Sequence, residues 1–155
     1  MNQRDLRTIL LVEDSAADAE MAIDALREAK LANPIVHVED GVECMDFLHS
    51  RGRFANRPPE APAVVLLDIK MPRADGIEVL KKLKQNAATA SLPVIMLTTT
   101  DDPREIDRCY ALGCNVYITK PVEYEAFVEA VRRLGMFLQV VKLPPVLGTQ
   151  AASSA

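Results

Sequence analysis

Residues 8–14 read Thr8-Ile9-Leu10-Leu11-Val12-Glu13-Asp14, and residues 63–68 read Ala63-Val64-Val65-Leu66-Leu67-Asp68. Neither stretch alternates apolar with polar, as a strand with one wet face would. A strand covered on both faces runs apolar throughout, so both are expected in the interior of a parallel sheet. Both also end abruptly on carboxylates. The fold and the chemistry therefore meet at the ends of the strands.

Outward from these two runs, short aliphatic stretches alternate with helical patterns. After the first, Ser15 is a plausible N-cap with Asp18 three residues on, and Ala19, Ala22, Ile23, Leu26 and Ala29 repeat at helical spacing to about Leu31. Asn33-Pro34 breaks the chain, and Ile35-Val36-His37-Val38 is a second strand. Residues 41–50 form a helix with Val42, Met45, Phe47 and Leu48 inward. Residues 51–62, with Gly52, Pro58, Pro59 and Pro62, are a loop before the third strand at 63–67. A turn at 72–76 leads to a helix built on Ile77, Leu80 and Leu83, and residues 93–97 are the fourth strand. Asp101-Asp102-Pro103 opens a helix, with acid at the positive dipole end and proline in the first turn. Ile106, Cys109, Tyr110 and Leu112 form its inner face and Gly113 its C-cap. Val116-Tyr117-Ile118 is the fifth strand, and residues 122–141 are the last helix. Five βα units in series predict a doubly wound sheet with helices on both faces.

At 155 residues and net charge −4, the chain has the size of one domain and needs no disulfide staples. Mild acidity argues against nucleic acid as a partner. No apolar run approaches the ~20 residues of a membrane span, and the polar start has no secretory pattern, so a cytoplasmic location is expected. Cys44, Cys109 and Cys114 are an odd set without a C-x-x-C pair, which predicts buried thiols in a reducing compartment. His37 and His49 lie outside every motif, and surface or boundary roles are expected for them.

Sheets of this kind bind ligands at the carboxyl ends of their strands. Those ends carry Glu13 and Asp14, then Asp68, then Thr98, and Lys120 follows the fifth strand. Three carboxylates on one rim repel one another and invite a hard dication; Mg2+ suits them because it takes oxygen ligands and keeps several waters. The lysine and the hydroxyl add the means to hold a phosphoryl group. P-loop, G-x-G-x-x-G, H-E-x-x-H and G-x-S-x-G patterns are all absent, so nucleotide, zinc and serine chemistry lack their usual devices. A carboxylate nucleophile beside a metal fits phosphoryl transfer onto Asp68.

In these motifs the sequence resembles the response-regulator receiver domain of two-component signalling. The matching stretches are residues 9–14, Leu67-Asp68-Ile69-Lys70-Met71-Pro72 with Asp75-Gly76, Met96-Leu97-Thr98, and Tyr117-Ile118-Thr119-Lys120-Pro121. The resemblance spans residues 7–138 and implies a flavodoxin-like (βα)5 fold, α/β, with strand order 2-1-3-4-5. It makes Asp68 the phosphoacceptor, phosphorylated by a sensor histidine kinase. Asp14, Asp68 and the backbone carbonyl of Lys70 would bind Mg2+, with Glu13 acting through a water. Lys120 and Thr98 would contact the phosphoryl oxygens, Tyr117 would be the aromatic switch, and a cis peptide would precede Pro121. Catalysis then means self-phosphorylation and slow hydrolysis of Asp68, not enzymatic turnover of a metabolite.

The Asp68–Thr98 and Thr98–Lys120 intervals of 30 and 22 residues match an ordinary receiver, but the Asp14–Asp68 interval of 54 is long. The excess maps to residues 51–62. With this insertion, the start of the first helix and the Leu-Pro-rich tail, the chain resembles single-domain regulators paired with bacterial phytochrome-type histidine kinases. Residues 1–143 are read as the receiver domain and 144–155 as a flexible tail, with output by protein contact. Met136, Phe137, Leu138, Val140, Val141 and Leu143 make the closing end of the last helix and the residues after it apolar nearly all round. Phe137, Val140, Val141 and Leu143 are the expected interface of a homodimer. The alternative functions are a phosphorylation-independent scaffold and a Mg2+-dependent hydrolase. Burying carboxylates without a task argues against the first. Lys70, where an aspartate-nucleophile hydrolase wants a second acid, argues against the second.

Overall fold

Ile9, Leu10, Leu11 and Val12 are wholly buried and form β1 (Ile9–Val12). The computed structural model describes residues 7–58, 60–69, 75–98, 102–119, 125, 128–129 and 132–133, with the main chain alone at 98 and 119. After β1 come α1 (Ala16–Glu28), β2 (Ile35–Val38), α2 (Gly41–Leu48), a single 3₁₀ turn (Gly52–Phe54) and β3 (Val64–Asp68). Then follow α3 (Gly76–Gln85), β4 (Val94–Thr98), α4 (Pro103–Ala111) and β5 (Val116–Thr119). The described residues of the last helix, among them Glu125, Val128 and Glu129, are helical. All strand pairs are parallel, and the sheet order is β2-β1-β3-β4-β5.

The continuous apolar runs have the physical cause expected of them, because each strand feeds two cores. Leu10, Val12, Val65, Leu67, Val94 and Met96 point to one face and pack under α2, α3 and α4. Ile9, Leu11, Val64, Leu66, Ile95 and Leu97 point to the other, where α1 and Val128 cover them. Burying a Leu or Val side chain contributes about 1.5–3 kcal/mol, so the double-sided sheet dominates the stability.

Side-chain caps start the helices at the carboxyl edge of the sheet. Ser15 Oγ accepts from the Asp18 amide at 3.3 Å, Asp40 from Glu43 at 2.9 Å, Asp75 from Ile77 at 2.8 Å and Asp102 from Arg104 at 3.0 Å. Pro103 occupies the first turn of α4, as its fixed φ favours. At the other end of α4, Gly113 adopts φ +104°, and the Gly113 and Cys114 amides donate to the carbonyls of Tyr110 and Cys109. That pattern is a Schellman stop, which needs a residue free to turn left-handed.

Several details differ from the sequence reading. Helix α1 ends at Glu28 and α2 at Leu48, short of the expected Leu31 and Ser50, because Lys30 and Ser50 turn to positive φ. Val42 is 57% exposed and Tyr110 48% exposed, so neither faces inward. Helix α2 buries Phe47 and Leu48 as expected, with Gly41 and Cys44 beside them, and α4 buries Cys109 as expected. All three cysteines are free and buried, as expected. The 51–62 insertion is tied down rather than loose. Arg57 stacks 3.7 Å above the Phe47 ring and donates to the Phe47 carbonyl at 3.0 Å and to that of Glu60. Among the described residues no helix is long and apolar enough to cross a membrane.

Candidate functional site

The sheet register builds the site. Val12 pairs with Leu67, so one step further along both strands brings Glu13 level with Asp68. Asp68 in turn pairs with Leu97, which places Thr98 one residue beyond it, opposite Thr119 of β5. Parallel strands of matched length thus deliver their last residues to one edge.

Glu13, Asp14 and Asp68 converge there. One carboxylate oxygen from each lies within 4.8 Å of the others. Glu13 is 1% exposed and Asp68 5% exposed, while Asp14 faces solvent. Two buried acids and an exposed one at this separation form a strongly negative, partly dry pocket open on one side. Hard oxygen donors at such spacing are those that Mg2+ or Mn2+ prefers, so the residues fit the expected dication.

The main chain around each acid is held firmly. The Glu13 amide donates to the Val38 carbonyl at 3.0 Å, and Glu13 Oε2 accepts from the Ser15 amide at 3.3 Å. Beyond Asp68, the Ile69 amide donates to the Leu97 carbonyl at 3.1 Å, and the Ile69 carbonyl accepts from the Gly76 amide at 2.8 Å. A Cβ at Gly76 would lie 2.1 Å from the Asp68 carbonyl oxygen and 2.7 Å from the Ile69 Cα. Only glycine lets α3 start this close to the end of β3, which explains the Asp75-Gly76 motif.

Among the other expected site residues, Tyr117 lies on β5 opposite Met96, half-buried against the core under α2–α4. Thr98 ends β4. Lys70, Lys120 and Pro121 with the expected cis bond, and Phe137, Val140, Val141 and Leu143, lie outside the described residues. His37 takes the boundary position expected of it, and it also contacts the main chain at the site. His37 is half-buried, and its Nε2 lies 2.7 Å from the Glu13 carbonyl oxygen. Its place on a strand next to the acid-bearing one, one residue before the strand's end, was the available signal.

The fold and acidic edge are those of a receiver domain, and the family comparison agrees. The response regulator receiver domain model matches residues 9–132. The response regulator Rcp1 of Synechocystis sp. (strain ATCC 27184 / PCC 6803 / Kazusa) is 34% identical over 139 residues, covering 89% of this chain and 93% of Rcp1. The crystal structure of Rcp1 in its Mn(2+)-bound form superposes with TM-score 0.78, covering 89% of this chain and 99% of that one. The phosphorylated cyanobacterial phytochrome response regulator RcpA is 33% identical with TM-score 0.79, covering 90% and 99% of the two chains. The bacteriophytochrome response regulator RtBRR is 41% identical with TM-score 0.77, covering 90% and 84%. The chain belongs to the response-regulator receiver-domain family. It is a two-component response regulator whose relatives include phytochrome and bacteriophytochrome response regulators, and as a receiver domain it is a phosphoacceptor.

Proposed function

We propose that Asp68 is the phosphoacceptor of a cytoplasmic phosphorelay and that a phytochrome-type histidine kinase supplies the phosphoryl group. The convergence of Glu13, Asp14 and Asp68 within 4.8 Å carries this reading. An Asp68 carboxylate oxygen attacks phosphorus in line, a P–O bond forms, and the P–N bond of the donor phosphohistidine breaks with its electron pair going to the imidazole. Mg2+ would be held by Asp14, Asp68 and the Lys70 carbonyl, with Glu13 through a water; when bound it neutralises the developing phosphoryl charge. Thr98 and Lys120 hold the transferred oxygens, and Tyr117 relays the change to the β5 face. The added group brings nearly two negative charges and new acceptors, enough to draw such donors inward. Slow hydrolysis of the acyl phosphate resets the switch.

Intact mass after incubation with acetyl phosphate and Mg2+ tests the assignment. One added phosphoryl is expected, absent with EDTA and absent in Asp68→Asn. Undiminished addition in Asp68→Asn would refute it. The apolar end of the chain, including Phe137, Val140, Val141 and Leu143, supports a homodimer on sequence pattern. Light scattering on a chain truncated after Leu138 is expected to halve the mass of a dimeric parent.

A further inference from the structure

We propose that His37 is a positioning residue for the acidic site, a role that rests on the metal-binding reading above. His37 pairs with Leu11 in the sheet, and its ring reaches along β1 to the Glu13 carbonyl at 2.7 Å. A carbonyl oxygen only accepts, so Nε2 carries the hydrogen, in the neutral ring or the cationic one. The bond therefore needs no titration.

That carbonyl belongs to the peptide plane that also contains the nitrogen and Cα of Asp14, because the peptide bond is rigid. Pinning its oxygen fixes the direction in which Asp14 leaves the strand. The neighbouring plane is pinned as well, since the Glu13 amide donates to the Val38 carbonyl at 3.0 Å. Glu13 is thus clamped through both its main-chain groups to two consecutive residues of β2. This clamp sits where β1 has ended, its last strand residue being Val12. Here the chain bends toward the Ser15 cap of α1. Without the imidazole, the Glu13 carbonyl would lose its side-chain donor and the Asp14 peptide plane could rotate. The metal-binding acids would then have to be reordered at each binding event.

The test titrates Mn2+ by electron paramagnetic resonance into the full chain, into His37→Leu and into His37→Gln, whose amide nitrogen can stand in for Nε2. Removing an outer partner of a metal site typically weakens binding ~10–100-fold. His37→Leu is expected to weaken Mn2+ binding about tenfold, and His37→Gln to stay within about twofold of the parent. In phosphorylation by acetyl phosphate, the Mg2+ concentration for half-maximal rate should rise by the same factor, while the rate at saturating Mg2+ changes little. Equal binding by the parent and His37→Leu would overturn the proposal and leave the site reading intact. Equal losses in both variants would overturn it too, making the ring's packing the cause. A parent that binds no Mn2+ would overturn the site reading and this proposal with it.

Discussion

Gly76 and Asp68 show how tightly the start of α3 is fitted against the end of β3. With 2.1 Å between a would-be Cβ and the Asp68 carbonyl oxygen, Gly76→Ala cannot be absorbed by a side-chain rotation, because the opposing atoms are main chain. The strand end or the first turn of α3 must shift. Overpacking of this kind costs about 1–3 kcal/mol, and the upper end is expected here in urea denaturation. Phosphorylation should fall with it, since the displaced atoms belong to Asp68. Asp14 behaves in the opposite way. It is exposed and lies among like charges, so Asp14→Asn should stabilise the metal-free protein by roughly 1 kcal/mol while abolishing metal-dependent gains. Calorimetry with EDTA and then with excess Mg2+ would separate the two effects.

The insertion between α2 and β3 is the clearest case of packing at the level of elements. Phe47 of α2 meets Phe54 edge-on at 5.2 Å and Arg57 face-on, while Arg53 bridges to Glu43 at 2.6 Å. Arg57→Ala is expected to cost about 1–2 kcal/mol in thermal or urea unfolding, from the lost ring contact and carbonyl bonds. Arg57→Lys should recover less than half, because an ammonium cannot lie flat and donate in two directions. The strands and the acidic edge were legible in the sequence because uninterrupted aliphatic runs end in acids, while the strand order came only with the resemblance to receiver domains. The helix faces were less so. In α2 Phe47 and Leu48 are buried as expected, but Val42 lies outside while the weakly hydrophobic Gly41 and Cys44 complete the buried stripe. In α4, Cys109 is buried as expected, while its neighbour Tyr110, also expected inward, is exposed. The contact of His37 had only its strand position to signal it, because its partner is a main-chain carbonyl, which leaves no pattern in side-chain spacing.

For the molecule as a whole, the proposed Mg2+ site would link stability to the ion. Mg2+ at a hundred times its dissociation constant should add about 2.7 kcal/mol, or roughly 5–10 °C in Tm for a chain this size, reversed by EDTA. The buried thiols set the alkaline limit. Burial, with the nearby Asp40 charge adding to it, pushes Cys44 up to about 12; burial, with Cys109 beside it, pushes Cys114 up to about 11. Cys109 is raised as well, by burial and then by Glu105. Unfolded thiols lose their protons from about pH 8.5, so above that the folded chain binds more protons than the unfolded one and stability falls as pH rises. A Tm that declines from about pH 8.5 upward, and declines less in Cys44→Ala relative to its own neutral-pH value, would show it.

The same burial has a practical side for spectroscopy. Val42 stands exposed beside a cleft of about 360 Å³ between α2 and α3, with Met45, Val79 and Lys82 also lining it. A maleimide fluorophore on Val42→Cys would attach at one place, because the three native thiols are shielded by the fold. A reporter on this protein thus needs one substitution and no cysteine-free background, and the sequence contains no tryptophan to compete with its signal.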